Sequence, residues 1–150
     1  MKKLLISLLV AGAFSKLCAA EAEWMTDLRA ALAKAKAEKK MVLLDFTGSD
    51  WCGWCIKFNQ EVLSQSAFAD YAAKNLVLVE VDFPRKKELG AKFKKANDAL
   101  QDKYKIDGFP TLVALNRRGK EVGRQDGYLA GGPAAFIAKL EEFKGSRRRR

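Results

Sequence analysis

Residues 41–55 read Met-Val-Leu-Leu-Asp-Phe-Thr-Gly-Ser-Asp-Trp-Cys-Gly-Trp-Cys, and this stretch decides the fold. Its first half, Met41 to Thr47, is a nearly continuous apolar run of strand length, which predicts a buried strand. From Cys52 to Ser64 apolar residues recur on one helical stripe, which predicts a helix. A Cys-x-x-Cys pair therefore stands where a buried strand passes into a helix.

The flanking sequence alternates between helical and strand patterns. Helices are predicted over residues 23–39, 52–64, 66–74, 86–103 and from Pro133 through Phe143, and Ser66 is expected to cap the third of them. Strands are predicted over residues 41–47, 76–82, 111–116 and 121–126. Strands separated by helices require parallel pairing with right-handed crossovers, and the last two strands form a hairpin. The predicted fold class is therefore α/β, a mixed central sheet of about four strands with helices on both faces.

Composition excludes several kinds of chemistry. The 150 residues are 49% hydrophobic and 31% charged, which fits one globular domain. Three cysteines are too few for a disulfide-stapled scaffold. Because the chain has no histidine, Ser-His and Cys-His nucleophile pairs, histidine-containing zinc or iron sites and c-type haem attachment are excluded.

The first twenty residues have the pattern of a targeting signal. A basic start precedes an apolar run from Leu4 to Phe14, and Cys18-Ala19-Ala20 places small residues at the spacing that a signal peptidase reads. We predict that residues 1–20 are a cleaved signal peptide and that the protein is periplasmic, with secretion as the alternative. A retained anchor is the other alternative, but about eleven apolar residues fall short of the roughly 20 that span a bilayer.

Charge is concentrated at the two ends of the chain. The net charge is +10, but without residues 1–20 and the tail 147–150 the chain has 21 basic and 18 acidic residues. The domain predicted over residues 21–146 is thus nearly balanced, and no nucleic-acid partner is expected. The tail is predicted to be a disordered basic terminus, with contact to an anionic lipid or cell-wall polymer as the alternative.

The Cys-x-x-Cys pair favours redox chemistry. Unpaired N–H groups and the dipole at a helix start stabilise an anion, so the pKa of Cys52 is expected below the free value of about 8.5. Cys55 lies one turn further on the apolar stripe and is expected to stay protonated until a mixed disulfide forms on Cys52. A structural disulfide would close a loop too short to stabilise much. A metal site needs about four ligands, of which this pair supplies half unless the protein dimerises through the metal.

Two motifs, in this order, resemble the thioredoxin superfamily. Leu-Leu-Asp-Phe at 43–46 precedes Trp-Cys-Gly-Trp-Cys at 51–55, and Gly-Phe-Pro-Thr at 108–111 precedes the third strand. The resemblance covers residues 41–143, and the stretch 45–55 is most similar to exported thioredoxin-like proteins related to the C-terminal domain of the thiol:disulfide interchange protein. It implies the thioredoxin fold and a redox-active disulfide between Cys52 and Cys55.

The resemblance also implies roles for other residues. Pro110 is expected in the cis form against the cysteine pair, with the backbone of Phe109 bonding an extended substrate and Gly127 allowing close approach. The substrate-binding residues expected from the sequence and the resemblance together are Trp51, Gly53, Trp54, Phe109, Pro110 and Gly127. The two tryptophans have a role in the core as the alternative.

Asp45 is the third predicted catalytic residue, after Cys52 and Cys55. A carboxylate inside a buried strand is costly when charged, so its pKa is expected to rise. The resemblance implies that Asp45 takes the proton of Cys55 through a water; the alternative is an Asp that caps or pairs locally. The sequence departs from the family pattern twice, because one extra residue separates Asp45 from the motif and Glu80 stands where many relatives carry Lys.

These observations together predict a monomeric thiol:disulfide oxidoreductase of exported proteins that acts as a reductase. Its expected partners are disulfide-containing client proteins and a membrane thiol electron donor, and no cofactor or metal is expected. Reduction is favoured because no histidine lies between the cysteines and because a buried Asp45 opposes further negative charge. The alternatives are an oxidase or isomerase of secreted proteins, or a client-specific binding module such as a thiol carrier for an apocytochrome c.

Overall fold

A computed structural model describes residues 22–146 as one mixed sheet with helices on both faces. The segments predicted as a signal peptide, 1–20, and as a basic tail, 147–150, lie outside the described residues. In chain order the elements are β1 (Trp24–Met25), α1 (Leu28–Glu38), β2 (Met41–Thr47), α2 (Gly53–Phe58) continued by a π-helical turn (Asn59–Leu63), α3 (Ser66–Asn75), β3 (Leu76–Asp82), α4 (Ala91–Tyr104), β4 (Thr111–Leu115), β5 (Glu121–Asp126) and α5 (Gly132–Ser146).

The strand order is β1-β3-β2-β4-β5. β3 pairs in parallel with both β1 and β2, whereas β4 is antiparallel to β2 and β5. The parallel β2–β3 pair is joined through helices, and the antiparallel β4–β5 pair is a hairpin. The mixed sheet of the sequence prediction is therefore confirmed, with five strands in place of about four.

β2 is buried on both faces, which explains its continuous apolar sequence. All seven residues of this central strand are buried. Leu43 packs in a core with Phe58, Phe68 and Phe136, and its neighbour Leu44 packs in the core of the opposite face. That second core includes the buried face of α1 and the C-terminal end of α4. β2 is thus the centre of the sheet, and the loop that follows it leads directly into α2.

The first element of the described residues is a strand, contrary to the helix predicted over residues 23–39. Trp24 and Met25 pair with Leu78 and Val79 of β3, a long-range contact that helical spacing does not reveal. The helix begins only at Leu28. Its cap is Asp27, whose carboxylate accepts hydrogen bonds from the backbone N–H groups of the first turn.

Two further helix boundaries differ from the prediction. The cap of α3 is Gln65, without a side-chain hydrogen bond to the helix, and Ser66 is its first residue. α4 begins at Ala91 and not near residue 86, because the backbone N–H groups of residues 85–87 donate to the carboxylate of Asp50. Within residues 22–146, none of the helices combines the length and the apolar character that crossing a membrane requires.

Candidate active site

Cys52 stands at the start of α2, bonded to Cys55. The two sulfurs are 2.17 Å apart and the Cα atoms 5.2 Å apart. Cys52 caps the helix: its Sγ accepts a hydrogen bond from the backbone N–H of Cys55 at 3.2 Å. Cys52 is 8% exposed and Cys55 3%. Cys52 is therefore the slightly more exposed of the two residues. Residues 22–146 contain no group of three His, Cys, Asp or Glu side chains able to hold a metal.

A second loop carries the proline that the sequence motif singled out. The peptide bond between Phe109 and Pro110 is cis, as the resemblance implied. Gly127 has a φ of +73° and donates its backbone N–H to the carbonyl oxygen of Pro110 at 2.8 Å. A positive φ is easily adopted only by glycine. The structure therefore joins two of the predicted substrate-binding positions that are seventeen residues apart.

Trp51 links the cysteine loop to the proline loop. Its Nε1 donates to the carbonyl oxygen of Phe83 at 2.7 Å, and its ring meets the edge of the Phe109 ring with centroids 6.1 Å apart. The guanidinium of Arg85 lies 3.6 Å from the centre of the Trp51 ring. A Cβ atom on Gly48 would approach the same ring to 2.6 Å, so a larger residue would displace it. Trp51 is half-buried, and its contacts connect the cysteine loop to Phe83, Arg85 and Phe109.

Asp50 fixes the loop that follows β3. Its carboxylate accepts hydrogen bonds from the backbone N–H groups of Arg85, Lys86 and Lys87 at 2.9, 2.8 and 3.2 Å. These bonds, led by that of Arg85, lower the pKa of Asp50. Sequence reasoning missed this residue, because its partners are 35 or more positions away and are backbone groups.

The side chain of Asp45 is on the face of β2 that packs against α2. Side chains alternate along a strand, so Asp45 shares the face of Leu43, which packs with Phe58 of α2. Cys55 precedes Phe58 by three residues and is buried on the same helical stripe. Within the described residues Oδ1 of Asp45 has no hydrogen-bond partner. Burial first, and then Glu80 and Asp82, raise the pKa of Asp45 to about 8.

Two more carboxyls and one lysine complete this face. Glu80 is opposite Asp45 in the sheet register, and burial raises its pKa, with a smaller contribution from Asp82. Asp82 accepts hydrogen bonds from the N–H and hydroxyl of Ser49 at 2.9 and 2.7 Å and forms a 2.9 Å ion pair with Lys87. Lys87, in the loop after β3, thus supplies positive charge beside these two carboxyls.

Aromatic rings surround the exposed start of α2. Trp54 is 58% exposed, and its ring centroid lies 5.4 Å from that of Tyr128. Lys57 places its Nζ 5.4 Å from the Trp54 ring and 5.0 Å from the Tyr128 ring, while the Tyr128 hydroxyl donates to Glu61. Gly53 is exposed, with no atom near the position of a Cβ. Sequence reasoning missed Tyr128, because its partners are 67 to 74 positions away.

Comparison with known proteins places this geometry in a family. Residues 28–144 match the thioredoxin-like domain. The chain is 39% identical over 125 residues to the disulfide bond reductase DsbH of Chlamydia pneumoniae, covering 83% of this chain and 74% of that protein. A solved structure of a DsbH oxidoreductase superposes with a TM-score of 0.77 at 35% identity, covering 100% of this chain and 96% of that one.

A more distant relative is longer than this chain. The thiol:disulfide interchange protein DsbD of Pasteurella multocida is 29% identical over 116 residues, which are 73% of this chain and 18% of that protein. The C-terminal domain of DsbD from Neisseria meningitidis, in its oxidised form, superposes with a TM-score of 0.59 at 21% identity, covering 80% of this chain and 98% of that one, which is a likeness of fold. The predicted thioredoxin fold is thereby confirmed, and the chain belongs to the thioredoxin-like family.

Proposed function

We propose that this thioredoxin-like oxidoreductase reduces disulfides in exported client proteins. The observation that carries the proposal is the Cys52–Cys55 pair, with Cys52 at a helix start and Cys55 buried behind it. The 39% identity to a protein named as a disulfide bond reductase supports the direction. The signal-peptide pattern of residues 1–20 supports export to the periplasm.

The reaction begins from the dithiol form. The thiolate of Cys52 attacks one sulfur of the client disulfide, that S–S bond breaks, and the departing client thiolate takes a proton. Cys55 then loses its proton and attacks Sγ of Cys52, which releases the second client thiolate and leaves the Cys52–Cys55 disulfide. The client gains two electrons and two protons, and a thiol donor at the membrane returns them to the cysteine pair.

The start of α2 stabilises the attacking sulfur. The N–H of Cys55 points at Sγ of Cys52, and the first turn of α2 contains no acidic residue. An anion at this position gains from the helix dipole and from that N–H group. The thiolate of Cys52 therefore forms without a histidine.

Asp45 exchanges protons with Cys55, and it accepts the thiol proton in those molecules in which its own carboxyl is ionised. It lies in the same layer between β2 and α2, and its pKa of about 8 is close to that of an ordinary thiol. Proton exchange is most efficient between groups of similar pKa. A carboxyl that is neutral below this pH also adds no negative charge when the client disulfide approaches.

The client chain binds across the two loops. Trp54 offers an exposed aromatic face, and the backbone of Phe109, before the cis Pro110, binds the extended client, while Gly127, bonded to Pro110, leaves space for it. We assign Trp51 to holding these two loops together, and Gly53 to leaving the helix start open. Loose contact with backbone and one aromatic face suits many clients.

Insulin reduction tests the activity. Wild type reduces the insulin disulfides with a dithiol as electron source, and Cys52→Ser does not. Cys55→Ser leaves Cys52 able to attack but unable to be resolved, so it accumulates mixed disulfides with clients that reducing agents release. Equal insulin reduction by wild type and Cys52→Ser would refute the proposal.

Two alternative functions remain from the sequence. An oxidase or isomerase would have a reduction potential near the oxidising end of the thioredoxin-like range, and equilibration with glutathione measures it. A carrier dedicated to one client, such as an apocytochrome c, would leave insulin unreduced, and Cys55→Ser would then trap a single protein. No contact in the described residues favours either alternative over reduction.

A further inference from the structure

One short segment carries the positive charge of the described domain. Of the eleven residues 85–95, six are basic and one is acidic, whereas the remainder of residues 22–146 has 15 basic and 16 acidic side chains. We call these six side chains the basic rim: Arg85, Lys86, Lys87, Lys92, Lys94 and Lys95. All six residues are exposed. The excess charge is therefore a local surface feature and not a general property of the domain.

Most of this charge is available to a partner. Lys87 pairs with Asp82 at 2.9 Å and Lys94 with Asp98 at 3.4 Å. In the described part of the chain the other four members of the basic rim have no acidic side chain within ion-pair distance. Lys92 acts only at longer range, on the carboxylate that caps α1.

The basic rim is fixed beside the redox site. Three backbone N–H groups at its start donate to Asp50, two residues before Cys52. The Arg85 guanidinium covers the ring of Trp51, and the ring of Phe83 stacks on that of Phe109 with centroids 5.1 Å apart. The segment therefore touches the cysteine loop, and Phe83, two residues before it, touches the cis-proline loop.

Helix stability does not explain the lysines. Gly90 caps α4 without a side-chain hydrogen bond, and no acidic residue occupies the first turn. Cations near a helix N-terminus are opposed by the dipole, and acidic residues are the stabilising choice there. Lys92, Lys94 and Lys95 nevertheless lie within the first five residues of the helix, around Phe93, which is 48% exposed.

We propose that the basic rim binds an acidic segment of the client polypeptide, next to the disulfide that Cys52 attacks. This rests on the proposed function and adds a substrate class to it. The carboxyls of the redox site do not cancel the attraction, because Asp45 and Asp82 are buried, Asp82 is paired with Lys87, and Asp50 is bound by three backbone N–H groups. Opposite charge speeds encounter and selects among clients that the backbone contacts alone would not distinguish.

Three synthetic peptides test the proposal. They share one disulfide loop and differ in a flanking run of four Glu, four Ser or four Lys. At about 10 mM ionic strength, where the Debye length is about 30 Å, we expect wild type to reduce the Glu peptide with a kcat/KM roughly tenfold above that of the Lys peptide. At about 1 M salt, where that length is about 3 Å, the ratio should approach one.

Two matched variants each remove three charges. Lys86→Gln/Lys92→Gln/Lys95→Gln alters the basic rim, and Arg117→Gln/Arg118→Gln/Lys120→Gln alters the β4–β5 turn, at the end of β4 away from Pro110. We expect the first variant to lower the Glu:Lys ratio at least about threefold and the second to keep it. The first should also melt no lower than wild type, because it removes cations from a helix start.

Several results would overturn the proposal. The first is that wild type reduces all three peptides at equal rates, and the second is that both variants lower the Glu:Lys ratio equally. The third is that the basic-rim variant loses binding to vesicles with anionic lipid but keeps the Glu:Lys ratio of wild type. If the triple variant does not fold, Lys92→Gln replaces it in the same comparison. Failure of wild type to reduce even the Ser peptide would instead refute the proposed function.

Discussion

At the scale of single residues, Asp45 is a carboxyl that is buried in the folded protein and has a strongly raised pKa. Its carboxyl is buried among apolar side chains, and Glu80 and Asp82 add negative charge beside it. Desolvation and like charge both favour the protonated form. The folded protein therefore holds a proton at neutral pH that the unfolded chain releases.

Stability should fall as pH rises, because of this proton. The pKa of Asp45 is about 8 in the folded protein and about 3.8 as a free group, so the contribution is complete below pH 3.8 and is lost progressively up to pH 8. At about 1.4 kcal/mol per unit, the total is on the order of 6 kcal/mol. Urea unfolding of the oxidised protein at several pH values from 5 to 8 measures the part of this decrease in the free energy of unfolding that falls in that range.

The matched variants are Asp45→Asn and Asp70→Asn. Asp45→Asn should flatten the pH dependence and raise the free energy of unfolding at pH 8 by several kcal/mol. Asp70 is exposed on α3, so its replacement should change neither. A slope as steep in Asp45→Asn as in wild type would show that another group binds the proton.

Trp54 belongs to the same scale, as the exposed aromatic face beside Cys52. Trp54→Ala removes a ring that contacts Tyr128 and Lys57 but is 58% exposed, so it should raise KM for a peptide disulfide about fivefold without lowering the melting temperature. Ile56→Ala, on the same helix and 37% exposed, is the control and should leave KM unchanged. A lower kcat with an unaltered KM would argue against a binding role.

At the scale of elements, the active site depends on a loop with no regular structure. Residues 83–90 join β3 to α4, and the carboxylate of Asp50 and the ring of Trp51 hold them in place. The same loop supplies Lys87 to Asp82. Its attachment sets where the cysteine loop sits against the cis-proline loop.

Removing that attachment should reduce activity more than it reduces order in the sheet. Asp50→Ala leaves three backbone N–H groups without their acceptor, so we expect kcat/KM for insulin to drop about tenfold through misplacement of Cys52, together with a lower urea midpoint. Asp50→Asn retains one acceptor oxygen, so its kcat/KM should lie between those of wild type and Asp50→Ala. Asp70→Ala is the control, and an Asp50→Ala enzyme with wild-type kinetics would contradict the argument.

The elements also show which parts of the structure the sequence could predict. β2, β3 and β5 have their predicted bounds, because a buried or paired strand requires a recognisable pattern of apolar residues along consecutive positions. The helix predicted over residues 23–39 includes β1, because the pairing of β1 with β3 is long-range. The helix predicted over residues 86–103 begins only at Ala91, because Asp50 binds the backbone N–H groups of residues 85–87. The cysteine pair and the cis proline lie in short local motifs and were found, whereas Tyr128 and Asp50 act across the chain.

At the scale of the whole molecule, the candidate redox site and the basic rim lie at one end of the sheet. The carboxyl ends of β2 and β3 lead into the cysteine loop and the basic segment, and the proline loop enters β4 from the same end. The opposite end carries the β4–β5 turn. A client bound at this end therefore leaves the β4–β5 turn free of the reaction.

Export is the prediction that concerns the whole chain. Cleavage after Ala20 leaves Glu21 as the first residue, three positions before β1, and removes Cys18, so the mature protein retains only the two cysteines of the redox site. Intact mass after expression in a Gram-negative host should show the loss of residues 1–20, and the reduced product should take up two alkyl groups. Ala20→Arg should block cleavage, because the peptidase requires a small residue there, whereas Glu21→Gln should not. A mature protein that takes up three alkyl groups would contradict the cleavage site and leave a third thiol to compete with Cys55 for the mixed disulfide.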